Sequence, residues 1–171
     1  MQKFRELSNF GNAKTFPNIK AHTNMPNYKV VEVDQINQIT SWATAATKAK
    51  DLCVVMQYLD SPTGDLYWQD RTLTQGTPLL CLCLESLADR FIDVGASHIT
   101  GGVDGSGALT VAKGDVLVPD GTGNWVVGSA PATGVYLLVT GITTLPTSTI
   151  ATDNTPPFMV EPAVTAQIVA I

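Results

Sequence analysis

From residue 52 to its C-terminus the sequence is a succession of short apolar and β-branched runs, each closed by Gly, Pro, Asn or Asp. Residues 52–59 and 66–71 flank the turn cluster Asp60-Ser-Pro-Thr-Gly-Asp65 and read as a hairpin. Gly76-Thr-Pro precedes a strand over 79–84, and further strands are expected at 108–111, 115–118, 125–127, 135–139, 158–160 and 164–171. Between them lie Lys113-Gly114, the loop 119–124, a Thr-rich stretch and Glu161-Pro162. Strands this short and this regularly punctuated build a small antiparallel barrel or sandwich, whereas βαβ units would need a helical repeat between strands.

Two segments read as helix. Tyr28-Lys-Val-Val-Glu-Val33 alternates as a strand, but from Asp34 the period changes, with Ile36, Ile39, Trp42/Ala43 and Ala46 at three- and four-residue steps. This predicts a helix over about 35–50, capped by Asp34 and ending where Lys48 and Lys50 meet the negative end of its dipole. Residues 85–94 could form a second short helix with Leu87, Phe91 and Val94 on its apolar side. The expected fold is mainly β, α+β in class.

Residues 1–29 carry five asparagines, Pro17 and Pro26, and no sustained period. They are expected to form an extended N-terminal arm before a single mainly β domain over 30–171. At 171 residues the chain is long enough to bury roughly 70% of its unfolded surface without a disulfide or metal staple. Its apolar fraction of 44% excludes a disordered chain, yet none of its apolar runs could span a bilayer. Nor does the N-terminus read as a signal peptide, since no apolar stretch follows Met1-Gln-Lys-Phe-Arg-Glu6.

Charge is scarce and unevenly placed. Charged residues are 15% of the chain, against about 25% in ordinary soluble domains. Residues 1–50 hold seven basic and three acidic residues, a net of +4; residues 51–171 hold three basic and twelve acidic, a net of −9. So little charge suits a surface that lies against neighbours, because interface cores are depleted in Lys, Glu and Asp. In the arm, Phe4, Arg5, Phe10, Lys14, Phe16, Lys20 and Lys29 make a basic and aromatic candidate for binding a partner. The phenylalanines would supply buried area and the basic residues a salt-dependent attraction. The acidic body argues against a nucleic-acid groove.

The chemistry-bearing residues form no catalytic or ligand-binding pattern. Cys53, Cys81 and Cys83 read as free thiols acting as small core hydrophobes, and His22 and His98 are too far apart to complete a zinc site. The Gly-rich segment 101–107 lacks the Lys-Ser/Thr of a P-loop and the following helix of a dinucleotide fingerprint. No serine is flanked by glycines as in a nucleophile elbow. Asp60, Asp65 and Asp70 do not have calcium-loop spacing, and Asp115, Asp120, Asp153 and Glu161 declare no acid/base pair. The expectation is a non-enzymatic protein without cofactor or metal. Trp125 and Val127 are expected together in the core, facing Val116 and Val118, while Trp68 or Trp125 could instead offer a sugar platform.

One stretch resembles a known family. Gly107-Ala-Leu-Thr-Val-Ala-Lys-Gly-Asp-Val-Leu-Val-Pro-Asp-Gly-Thr-Gly-Asn-Trp-Val-Val127, followed by Ala130-Pro-Ala-Thr-Gly-Val135, is similar in rhythm to tailed-bacteriophage head decoration proteins. The ending Val164-Thr-Ala-Gln-Ile-Val-Ala-Ile171 resembles the apolar last strand of lambda-type capsid-stabilising proteins. The likeness covers about the last 65 residues. It implies a capsid cement protein on the outer surface of an icosahedral phage shell, assembled in the host cytoplasm. Its implied partners are the major capsid protein and itself, usually as a homotrimer, with no membrane or nucleic acid. Another virion component (tail, collar or fibre base) and a carbohydrate-binding or hydrolytic β domain are the alternatives.

Overall fold

The computed structural model describes residues 4–6, 13–56, 72–147 and 159–171. Its strands are β1 (Phe4–Glu6), β2 (Thr15–Lys20), β3 (Met25–Pro26), β4 (Val30–Asp34), β5 (Ile39–Trp42), β6 (Leu52–Val55) and β7 (Thr72–Leu73). They continue as β8 (Pro78–Cys83), β9 (Phe91–Gly95), β10 (Val116–Pro119), β11 (Trp125–Gly128), β12 (Val135–Thr147) and β13 (Met159–Ala170). The chain is mainly β. Five strands close into a barrel, β2-β5-β4-β6-β8, and six form an open sheet, β1-β9-β13-β12-β10-β11. The barrel is not wholly antiparallel: β2 and β5 meet in parallel at Lys20 and Ile39.

Strands β6 and β8, and β4 over Val30 and Val31, are apolar on both faces because they are buried on both. Val31, Val33, Cys53, Val55, Leu79, Cys81 and Cys83 point into the barrel and pack with Ile19, Ala21, Met25 and Leu73. Their neighbours Val30, Leu52, Val54, Leu82 and Leu84 point outward and pack on Ile92, Val94, Leu117, Leu137, Val139, Val164, Ala166 and Ile168 of the sheet. The barrel wall is thus the middle layer between two cores. Hence 79–84 reads as an uninterrupted apolar run rather than an alternating one.

The expected helix over 35–50 is a hairpin. Asp34 does cap, but it caps a turn: its Oδ1 accepts the N–H groups of Ile36 at 2.9 Å and Asn37 at 3.0 Å. Gln38 then takes a φ of 54°, and β5 returns antiparallel along β4 with Thr40 opposite Val33. The periodic Ile36 is left 93% exposed. Two pairing partners, β4 and β2, outweigh a weak local helical preference. Within 35–50 the only helical piece is a 3-10 turn, Ala49–Asp51. Residues 85–94 follow the same pattern: a 3-10 turn, Glu85–Leu87, ends before Asp89 at a φ of 67°, and β9 buries Ile92 and Val94 by alternation. Among the described residues no α-helix occurs.

The boundary expected at residue 29 also differs. Residues 13–29 are built into the body: β2 forms a wall of the barrel beside β8, and Ile19, Ala21, Met25 and Tyr28 are buried. The Pro and Asn that make this segment look irregular sit in a register shift between Phe16 and Ile19, where Asn18 has a φ of 63°. A bulge accommodates a proline without a ladder N–H and an asparagine in the left-handed region. β1 pairs with β9 at the sheet edge, Phe4 opposite Val94 and Arg5 opposite Asp93.

The C-terminal expectations change in extent. Residues 108–111 contribute an isolated bridge, Val103 to Leu109, rather than a strand. The strands expected at 158–160 and 164–171 are one, β13, which runs through Glu161-Pro162 beside β12. The turn cluster 60–65 and the strand expected at 66–71 lie outside the described residues.

Candidate interaction surface

The six-stranded sheet has one face in the core and one facing away from the barrel. Alternation assigns the second face: Phe91 and Asp93 on β9, Thr165, Gln167 and Val169 on β13, Tyr136, Leu138 and Thr140 on β12, Val116 and Val118 on β10, and Val126 on β11. Phe91 is exposed, and Val116, Val126, Tyr136, Leu138, Gln167 and Val169 are each half-buried. Asp93 is buried and accepts the Thr165 hydroxyl at 2.7 Å. Over Thr165–Val169 of β13 and across β12 and β10 to β11 this face is made of aliphatic, aromatic, hydroxyl and amide groups; the acid of β13, Glu161, shares its parity but lies further along the strand, opposite Leu145. β11 is the edge strand, bridged at Trp125 by Ile99, whose neighbour Thr100 donates its N–H to the Trp125 carbonyl at 2.7 Å.

A sequence signal for this surface exists in plain sight. Residues 121–152 contain no Asp, Glu, Lys or Arg, and residues 121–171 contain only Asp153 and Glu161. Counted over half-chains, that absence is diluted into a net acidic body. Folding concentrates it, since this one segment supplies β11, β12 and β13.

The basic and aromatic residues expected to form a partner-binding arm are dispersed. Phe4 and Arg5 lie on β1 at one sheet edge, and Phe10 lies outside the described residues. Lys14 is exposed, and its Nζ stands 4.7 Å from the centre of the Phe16 ring, a cation–π contact on the barrel's outer wall. Phe16 itself is half-buried against the barrel interior. Lys20 is exposed at the end of β2. Lys29 is elsewhere, hydrogen-bonded to Asn124 Oδ1 beside Trp42 and Gly123. Phe16 and Lys20 share β2 and Lys14 immediately precedes it; Lys29 does not join them.

Trp125 is 2% exposed, a core residue, so it offers no sugar platform, and Trp68 lies outside the described residues. Val127, on the same face, is 46% exposed: it occupies the edge strand beyond the cover of the barrel, although its partner Leu117 is buried. Of the facing pair, Val118 is buried and Val116 half-buried, both on the opposite face.

The acids at turns act as turn-formers. Asp104 Oδ1 accepts the Ser106 hydroxyl at 2.6 Å and the N–H groups of Ser106 at 2.8 Å and Ala108 at 3.0 Å, closing the Gly-rich loop. The Ser106 hydroxyl and these N–H groups hold its carboxyl below the usual range. Asp120 accepts the Thr100 and Thr122 hydroxyls and the N–H groups of Thr122 and Asn124. Partial burial pushes its pKa up, but these bonds outweigh it and the net shift is downward. Gly123, at a φ of 91°, lets the Trp42 ring lie flush on this loop, with ring carbon 2.5 Å from where a Cβ would stand. His22 meets the same Trp42 edge-on at 4.6 Å and shares its Nδ1 with the Thr40 hydroxyl at 2.9 Å. Its Nε2 is buried and has no hydrogen-bond partner among the described residues. Among the described residues no group of three or more His, Cys, Asp or Glu is arranged to hold a metal ion.

No protein-family profile matches this sequence, and no characterised protein or solved structure is significantly similar to it.

Proposed function

We propose that this chain is a structural protein of a tailed-phage head, a non-enzymatic cement that decorates the outside of an icosahedral shell. Its partners are the major capsid protein and further copies of itself, with a trimer as the expected assembly. The observation that carries the reading is the stretch of sheet face without ionisable side chains that runs from Thr165–Val169 of β13 across β12 and β10 to β11. Covering such a face with protein displaces water from apolar atoms and strips no charge of its hydration, the usual character of an interface core. The stretches that resemble decoration proteins support it further. Residues 107–127 and 130–135 are nearly contiguous and 164–171 follows about thirty residues later, yet all lie together as β10, β11, the start of β12 and β13.

Imaging the native particle that carries this chain, at a resolution separating shell from tail, tests the reading. Density on the shell exterior is expected. Density confined to the tail, collar or fibre base overturns the shell assignment. A protein that sediments as a monomer and stays in the supernatant when mixed with undecorated shells overturns the reading altogether. In the positive case, Leu138→Glu should abolish pelleting with shells while leaving the circular dichroism spectrum unchanged.

A further inference from the structure

We propose that Cys53 and Cys83 form a dithiol that closes into a cross-strand disulfide when the folded protein meets a small peroxide. The two residues are directly opposite each other on the antiparallel strands β6 and β8, and both point into the barrel. The hydrogen-bond ladder defines the kind of pair. Leu84 donates its N–H to the Leu52 carbonyl at 3.0 Å, and Met56 donates to Leu80 at 2.9 Å, so the pairs 52/84 and 56/80 are hydrogen-bonded ones. One step along from 52/84, Cys53 and Cys83 therefore occupy a non-hydrogen-bonded position. The Cys83 N–H agrees, turning away from β6 to the Lys14 carbonyl at 2.9 Å. Non-hydrogen-bonded pairs bring Cα atoms to about 4.5 Å with side chains converging. That is inside the roughly 4.4–6.8 Å span a disulfide bridges without backbone movement.

The third thiol is set apart. Cys81 is opposite Val55, with no cysteine across from it, and it projects parallel to Cys83 two residues along the same strand. Burial pushes the Cys81 thiol up to about 12, which keeps it protonated and inert. A hydrogen bond from the Cys53 thiol instead draws Cys83 down to about 6; burial opposes this, and the N–H groups of Ser86 and Glu85 and the Lys14 charge assist it. Cys83 is accordingly the attacking sulfur. In its protonated form the same thiol donates to the Lys50 carbonyl at 3.6 Å, at the mouth of the barrel.

With hydrogen peroxide as oxidant the step balances. The Cys83 thiolate attacks one peroxide oxygen, the O–O bond breaks, and hydroxide leaves with a proton to become water. The Cys53 sulfur then displaces the oxygen of the resulting sulfenic acid, forming the S–S bond; its proton leaves with that oxygen as a second water. Two thiols are oxidised and one peroxide is reduced. Because Cys53 is fully buried and Cys83 is 1% exposed, the oxidant has to be small. The pairing stands apart from the phage-head reading. If that reading holds as well, the bond would form after release from the reducing host, since virion surfaces are a disulfide-permissive setting.

The test is to expose the native full-length protein to hydrogen peroxide, quench, denature, and alkylate the remaining thiols before mass spectrometry. A loss of two hydrogens with one alkylatable thiol left is expected. Trypsin separates Cys53 from Cys81 and Cys83 at Lys50, Arg71 and Arg90, so the bond should join two tryptic peptides, and dithiothreitol should part them. Fragmentation of the linked pair should place the alkyl group on Cys81. The Cys81→Ala variant should close as wild type does, and Cys83→Ala should not close. A bond within the Cys81–Cys83 peptide, retention of all three thiols, or closure seen only in denaturant overturns the proposal. The wild-type peptide map decides the matter even if a variant fails to fold.

Discussion

Removing residues 1–29 should destroy the fold rather than trim an appendage. The deletion takes away β1, β2 and β3 together with the buried side chains of Ile19, Met25 and Tyr28. At about 1.5–3 kcal/mol for each large buried side chain, these three alone represent roughly 5–9 kcal/mol. The total stability of a domain is about 5–15 kcal/mol, so the loss is of the same size. The backbone adds to it: without β2 the barrel opens, exposing unpaired edges on β8 and β5 and the thiol-lined interior between them. Purified 30–171 should show neither a cooperative urea transition nor near-ultraviolet dichroism from Trp42 and Trp125. It should aggregate at concentrations where the full chain is soluble. As a graded control, Ile19→Ala in the intact chain should lower stability by about 2–5 kcal/mol and keep a single transition. A 30–171 fragment melting cooperatively near the full-length midpoint would show that β2 leans on a self-sufficient body, and the barrel argument would fail.

Other perturbations probe other layers. Trp125→Ala should cost about 3–5 kcal/mol in urea unfolding, whereas Val127→Ala, two residues along the same strand, should stay within about 0.5 kcal/mol; equal losses would mean the edge strand is covered. Burial holds His22 neutral by lowering its pKa below the ordinary 6.5. The unfolded chain therefore takes up this proton first, and the stability linked to it is complete above the ordinary value and lost as pH falls through the folded one. His22→Gln should flatten that part of the acid-side decline in thermal midpoint, and an unchanged pH profile would remove His22 from the account. Gly123→Ala puts a Cβ into the Trp42 ring at a positive φ, and should cost about 1–3 kcal/mol and alter the Trp42 fluorescence.

Some of this protein was written in single segments of its sequence. The Gly/Pro-punctuated apolar runs at 52–55, 79–83, 116–118, 125–127 and 135–139 are strands because a short β-branched run between turn residues has few other stable conformations. The scarcity of charge after Asp120 is also a property of the sequence alone. Tertiary pairing decided the rest. Ile36, Ile39 and Ala46 have helical spacing, but Asp34 closes a turn, β4 pairs along all of β5 and β2 meets it at Ile39, which a lone helix here would not have matched in packing. The Asn- and Pro-rich segment before residue 29 looks unstructured locally because its bulge residues satisfy a strand whose partner, β8, lies some sixty residues away. Long-range pairing likewise set Cys53 against Cys83 and gathered the charge-poor strands β11, β12 and β13 into one sheet. A strand's neighbours are chosen by which buried faces can be covered together, and that choice is made by the whole chain at once.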